Sequence, residues 1–258
     1  MVIRRIRDHV ADHNWFAVGI DLAIVVVGIV IGTQVNNWNQ GRADRVKAAG
    51  YRTRLVAELR FDQRQYHNQF LYYTAARRHG LAALNALQHP GATLGEPFLI
   101  DAYQATQMDL TPPKHFIFDE LVSAGLAGLI GNESLQEMTS DYYLSLATDV
   151  PQLAEAPPYR DLLRREMPYV VQTSIRARCG DRDVLLNRQV IGQSFPERCV
   201  LRLDPALVAT SVSRLRAVAG LDTALTRYLS ALDQKLGLLG ANSSKTDRLV
   251  KAIEAVRN

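Results

Sequence analysis

Phe16-Ala-Val-Gly-Ile-Asp-Leu-Ala-Ile-Val-Val-Val-Gly-Ile-Val-Ile-Gly-Thr33 is an apolar run broken by one carboxylate, Asp21, with Trp15 at its start and Trp38 just past its end. A helix needs about 20 mainly apolar residues to cross roughly 30 Å of hydrocarbon, and tryptophans favour the two interfaces. Trp15 to Trp38 meets both conditions, and we read it as a transmembrane helix. A secretory signal also opens with a basic run, here Arg4, Arg5 and Arg7. Its apolar core is usually about 7–15 residues and ends at a small-residue cleavage site. Here the run is longer and exits into Gln34-Val-Asn-Asn-Trp-Asn-Gln40. A buried strand or a core helix is the other reading, placed behind the span; strands rarely exceed about 10 residues.

Outward from the span, the sequence divides into a basic N-terminal segment (1–14), the span (15–38) and a helical domain (39–258). About 220 residues follow the span, enough for one domain with its own core. The net charge of +4 carries no basic motif, so nucleic acid is not an expected partner. Arginine outnumbers lysine 25 to 5, the usage of a GC-rich genome, which points towards a bacterial source.

Two cysteines, Cys179 and Cys199, flank a loop containing Gly180, Gly192 and Pro196. In an oxidising compartment they would close a loop of about 20 residues, stabilising it by about 3 kcal/mol on the chain-entropy model. The alternative is two unrelated thiols; no CxxC spacing suggests a metal or redox site. Basic residues flank the span on both sides: Arg4, Arg5 and Arg7 before it, and Arg42, Arg45, Lys47, Arg52 and Arg54 after it. Counted strictly, these charges slightly favour a cytoplasmic C-terminal domain. The cysteine pair weighs the other way, and the expected location is the bacterial inner membrane with the domain in the periplasm.

Nothing helix-breaking lies between Thr33 and Gly50, so the span is expected to continue into a long stalk helix. Apolar residues at Leu55, Leu59, Tyr66, Phe70, Tyr73, Leu84 and Leu87 mark one helical face, ended by Pro90-Gly91. Further helices are expected from near Pro97, over Phe116–Ala124, from Glu133 to about Ala147 behind an Asn132 cap, from Pro157 to about Arg178 with a kink near Pro168, from Asp204-Pro205 to Ala219, and from Asp222 with a break at Gly240–Ser244. The glycines of Ser123–Gly131 recur every third residue and read as a tight helix–turn–helix corner, not a phosphate loop. No alternating strand pattern stands out. The soluble part is expected to be an all-α bundle with one disulfide-closed loop.

No nucleophile elbow, Walker loop or zinc motif is present, so no enzyme activity and no cofactor are expected. His9 and His13 have metal-pair spacing but no third ligand. Asp21 stands apart, because a carboxylate at mid-bilayer costs about 2.5–3.5 kcal/mol, less near the edge. It must be protonated, snorkel, or meet a group on another helix. Gly28-Ile-Val-Ile-Gly32 is a G-x-x-x-G motif, and Gly19 and Ala23 repeat its small-residue spacing. Asp21, Gly28 and Gly32 thus share a face for another transmembrane helix, with Gln34, Asn36, Asn37, Trp38 and Asn39 as an interfacial collar.

The run from Gly19-Ile-Asp21 to Gln34-Val-Asn-Asn-Trp-Asn39 resembles the N-terminal signature of a large bacterial family of uncharacterised membrane proteins, G-E-aliphatic-G-aliphatic-Q-x-N-N-W-N. Leu121-Val-Ser-Ala-Gly125, followed by Ile130, Leu135 and Tyr142-Tyr143, is similar to a second stretch of that family. The resemblance touches about a quarter of the chain. It implies a single span followed by a helical domain, and no activity. Asp21 stands where the family usually has glutamate, keeping the charge on a shorter arm. The leading expectation is a non-catalytic scaffold or accessory subunit acting through the bilayer and other transmembrane helices. The alternatives are an ion- or proton-linked transducing subunit using Asp21, and a periplasmic ligand-sensing helical domain.

Overall fold

The computed structural model describes residues 15–89, 93–109 and 111–256. The basic segment with Arg4, Arg5, Arg7, His9 and His13, and the Pro90-Gly91 breaker, lie outside the described residues. The chain divides into two units between Arg52 and Thr53. One helix, α1 (Trp15–Gln88), runs unbroken through that division, as the absence of any breaker after Thr33 predicts.

In the first unit α1 carries the apolar run. Its side chains from Leu22 to Gln40 are exposed, Leu22, Ile24, Ile29 and Trp38 each by about 60% or more. In water this pattern leaves a wide apolar surface uncovered, which soluble monomers avoid.

The second unit is the all-α domain. After α1 come α2 (Glu96–Gln104), α3 (Phe116–Ser123), a short 3-10 turn (Ala127–Leu129), α4 (Glu133–Ala154), α5 (Pro158–Glu166) and α6 (Tyr169–Cys179). A hairpin of β1 (Arg182–Leu186) and β2 (Gln189–Ser194) follows, then α7 (Pro205–Arg216) and α8 (Leu221–Ala255). The core face of α1 holds Leu55, Leu59, Tyr66 and Tyr73, all buried, as the three-and-four spacing requires. Phe70 departs from that reading and is 40% exposed. The α8 stripe of Leu225, Leu229, Leu232 and Leu239 is buried. Arg60–Glu254 and Arg77–Asp233, each at 2.5 Å, tie α8 antiparallel to α1.

Capping sets several starts. The Asn132 side chain accepts from Leu135 N at 3.1 Å, and Asp204 accepts from Ala206 N and Leu207 N at 2.8 and 3.2 Å. Gly125, at φ 68°, ends α3 in the left-handed conformation that glycine favours, making the turn of the expected corner; the close packing expected there is absent at Gly125 and Gly128, where an added Cβ would meet nothing within 4 Å.

Four elements differ from the sequence reading. The helix expected from Pro157 to Arg178 is two helices, because Pro168 forces Met167 into an extended conformation (ψ 128°) and caps α6. Helix α4 continues past Ala147 and carries Pro151 in its last turn. There the buried Leu153 fixes the chain, and its carbonyl accepts from Lys235 Nζ at 2.6 Å. Helix α8 runs straight through Gly240–Ser244, where buried Asn242 and Thr246 face the core. The fourth is the hairpin, inside what reads as a loop. Its strands lack an in/out alternation, and its turn, Asn187-Arg188 at φ 49° and 66°, has arginine where glycine is usual.

Candidate functional site

The first candidate site lies on α1 in the first unit. At about 100° per residue, Asp21 and Gly28 are about 20° apart around the helix and Gly28 and Gly32 about 40°. The three therefore share one face. A Cβ added at Gly28 or Gly32 would meet nothing within 4 Å, so this strip is open surface. Gln34, Asn36, Asn37, Trp38 and Asn39 follow on the next turns, all exposed. No three His, Cys, Asp or Glu side chains cluster as metal ligands would among the described residues.

The second is the cysteine loop. Cys179 and Cys199 form a disulfide with Cα atoms 5.3 Å apart, inside the range that bridged cysteines occupy. It closes the chain around the hairpin, which is pinned to α1 by side chains. Asn68 Nδ2 donates to Gln193 O at 3.0 Å, and Gln193 N donates to Asp109 Oδ2 at 2.9 Å. Asp109 Oδ1 accepts from Thr111 N and Oγ1 at 3.0 and 2.7 Å. Gly192 sits against this node at φ 142°, and a Cβ there would collide with Asn68 and Asp109. Phe195 stacks on Tyr72 with ring centroids 4.6 Å apart, and Tyr72 donates its hydroxyl to Asp181 Oδ2 at 2.8 Å.

The third, which sequence reasoning missed, is a pair of buried acids one turn apart on α1. Glu58 accepts from Tyr143 Oη at 3.2 Å and from Ile117 N at 3.1 Å. Asp62 is fully buried and accepts from Lys114 N at 2.8 Å, while its Oδ2 has no protein partner. Both acids thus hold the chain entering α3. Burial pushes Asp62 up to about 8; the Lys114 N–H opposes this and the Glu58 charge adds to it. Burial raises Glu58 too, against the Ile117 N–H and the Tyr143 hydroxyl. The signal was present: Leu55, Glu58, Leu59, Asp62 and Tyr66 all fall on one helical stripe, so two acids interrupt an apolar face. Lys235 is the opposite case, with burial lowering its ammonium to about 8 while it lies 4.7 Å from the Tyr73 ring centroid.

Cavities are small. One of about 30 Å³ lies between Gln69, Asp109, Thr111, Pro112, Pro113 and the end of α4, room for a water or two. Another of about 280 Å³ is lined by Leu87, Leu215, Arg216, Val218, Leu221 and Asp222.

Compared with protein-family models, with curated proteins and with solved structures, the chain finds no match. The resemblance to the membrane-protein family therefore rests on the quoted motifs alone.

Proposed function

We propose that this chain is a single-span membrane protein whose helical domain works through protein contacts, as a non-catalytic scaffold or accessory subunit. One observation carries the reading: α1 is long and apolar enough to cross a membrane, with an 18-residue window of mean hydropathy 2.2, none of it buried. An uncovered aliphatic helix in water is unfavourable by about 25 cal/mol per Å² of apolar surface, and hydrocarbon removes that cost. Phe16 to Thr33 spans about 27 Å at 1.5 Å per residue, close to the hydrocarbon thickness. The Asp21–Gly28–Gly32 face is the contact with a second transmembrane helix, where Asp21 finds a polar partner and the glycines allow close approach. The Gln34–Asn39 collar hydrogen-bonds at the membrane surface.

The Cys179–Cys199 bridge supports a domain on an oxidising side, in a bacterium the periplasmic face of the inner membrane. Reporter fusions at the C-terminus test the orientation, and alkaline extraction tests the anchor. The expected result is an extraction-resistant protein with a periplasmic C-terminus and an uncleaved N-terminus. A mature chain beginning after Thr33 would make the apolar run a signal sequence and remove the reading.

A further inference from the structure

Three guanidinium groups converge in the second unit with no acid paired to them among the described residues. Arg160 and Arg164 lie one turn apart on α5, half-buried; Arg176 lies on α6, exposed. They gather around the C-terminal end of α2. Arg160 Nη1 donates to the Thr106 carbonyl, Arg164 Nε to Thr106 Oγ1 at 3.0 Å, and Arg164 Nη2 to Gln107 Oε1 at 2.7 Å. Arg176 Nη1 donates to Tyr103 Oη at 3.2 Å, and the Arg164 guanidinium lies 4.8 Å from the centroid of that same ring. Thr106 therefore joins Arg160 to Arg164, and Tyr103 joins Arg164 to Arg176.

Every one of these acceptors is neutral, and the three arginines form no ion pair among the described residues. Each guanidinium carries five N–H donors, of which these bonds use one or two. Three sources of negative charge lie nearby, and none is bonded to the arginines; one is Asp109, whose carboxylate accepts from Thr111 and from Gln193 N. The C-terminus of α2 contributes roughly half a charge. Asp181 acts on Arg160 and Arg164 through space only; its Oδ2 accepts from Tyr72, and burial pushes its own protonation upward. Burial, with the Arg160 and Arg176 charges adding, lowers Arg164 from its ordinary value against the opposing pull of Tyr103. Planes held by an aromatic ring and by neutral acceptors, with donors left over and one arginine open to solvent, are the arrangement that grips two oxygens of a carboxylate or phosphate in fork geometry.

We propose that Arg160, Arg164 and Arg176 form an oxyanion site at the C-terminal end of α2, which takes the carboxylate or phosphate group of a small molecule. The site lies wholly in the second unit and does not depend on the membrane reading. Arg164 is its centre, and Arg176 is the gate residue that the ligand meets first.

Isothermal titration of the full chain in mild detergent, with inorganic phosphate and with citrate at constant ionic strength in chloride, tests this. Saturable binding in the micromolar to low millimolar range is expected. Arg176→Gln, at an exposed position, should weaken it about tenfold while leaving the melting temperature unchanged. Arg164→Gln should remove it. A short-chain phosphatidic acid titrated alongside separates the sources: equal affinity marks a free anion and tighter binding marks a lipid headgroup, and either sustains the site. No saturable binding by any of the three would overturn the proposal. So would Arg176→Gln and Arg164→Gln variants that bind as the parent does.

Discussion

Asp62 and Lys114 meet through the wrong end of the lysine. The Lys114 backbone N–H donates to Asp62 Oδ1 at 2.8 Å, but its ammonium lies 3.5 Å from the Phe61 ring centroid and donates to Gln189 Oε1 at 3.1 Å. A fully buried carboxylate thus has one amide for company and no ion pair, which is why its proton is held up to about 8. The pair sets the chain entering α3 at the cost of an acid that resists ionisation.

Stability should therefore depend on pH in a particular shape. Asp62 is raised, so its contribution is full below the unfolded value near 4 and is lost as pH climbs through about 8. Glu58, also raised, has the same sign. Lys235 is depressed to about 8, so its contribution is full above its unfolded value near 10.4 and is lost as pH falls through the window from 10.4 to 8. Melting temperature should fall from pH 5 towards 8, pass through a minimum, and rise again above it. Thermal melts across pH 5–10 check this, and a flat profile contradicts the burial of these groups.

Asp62→Asn should remove most of the falling limb. Asparagine keeps an acceptor for Lys114 N and cannot ionise, so the variant should equal the parent near pH 4 and exceed it by a growing margin up to pH 8. A tenfold change in proton affinity between the folded and unfolded chain is worth about 1.4 kcal/mol, so the gain at pH 8 is on the order of several kcal/mol. Urea melts at both pH values read it directly, and a variant no more stable than the parent at pH 8 counts against the account.

Replacing both cysteines with serine should cost about 3 kcal/mol, the loop-closure value for a separation of 20 residues. Thiol alkylation in intact cells, with and without reductant, is the companion measurement. Two freely alkylated thiols would sink both the bridge and the periplasmic placement.

Gly192→Ala should destabilise by about 2–4 kcal/mol, since the backbone holds φ 142° and the new Cβ collides with Asn68 and Asp109. Gly128→Ala, with nothing within 4 Å of its Cβ, is the control and should change little. Chemical denaturation of the two variants decides it; equal effects would mean that the hairpin is not pinned as described.

What could be read in advance was whatever repeats or breaks. The three-and-four spacing from Leu55 to Tyr73 located the core face of α1, and Asn132 and Asp204 marked helix starts through their own side chains. Two cysteines alone in 258 residues pointed to one bridge. The rest depends on tertiary contact. The hairpin hides because its strands bury no consistent face and Arg188 stands where glycine would announce the turn. Pro151 and the Gly240–Ser244 stretch look like breaks, yet the carbonyl bond from Lys235 to Leu153 and the burial of Leu239, Thr246 and Leu249 hold those helices on. Three arginines from two helices meet because α5 and α6 both pack on α2, and no spacing in the sequence announces that.

The most direct test of the membrane-contact reading is the mass of the particle that the protein forms in mild detergent, compared between the parent and Asp21→Leu. A chain of 28.8 kDa that contacts another transmembrane helix should appear in a larger stoichiometric assembly, of itself or with a partner, and Asp21→Leu should shrink it while still resisting alkaline extraction. A parent that is monomeric, or an Asp21→Leu assembly of unchanged mass, would contradict the proposed face.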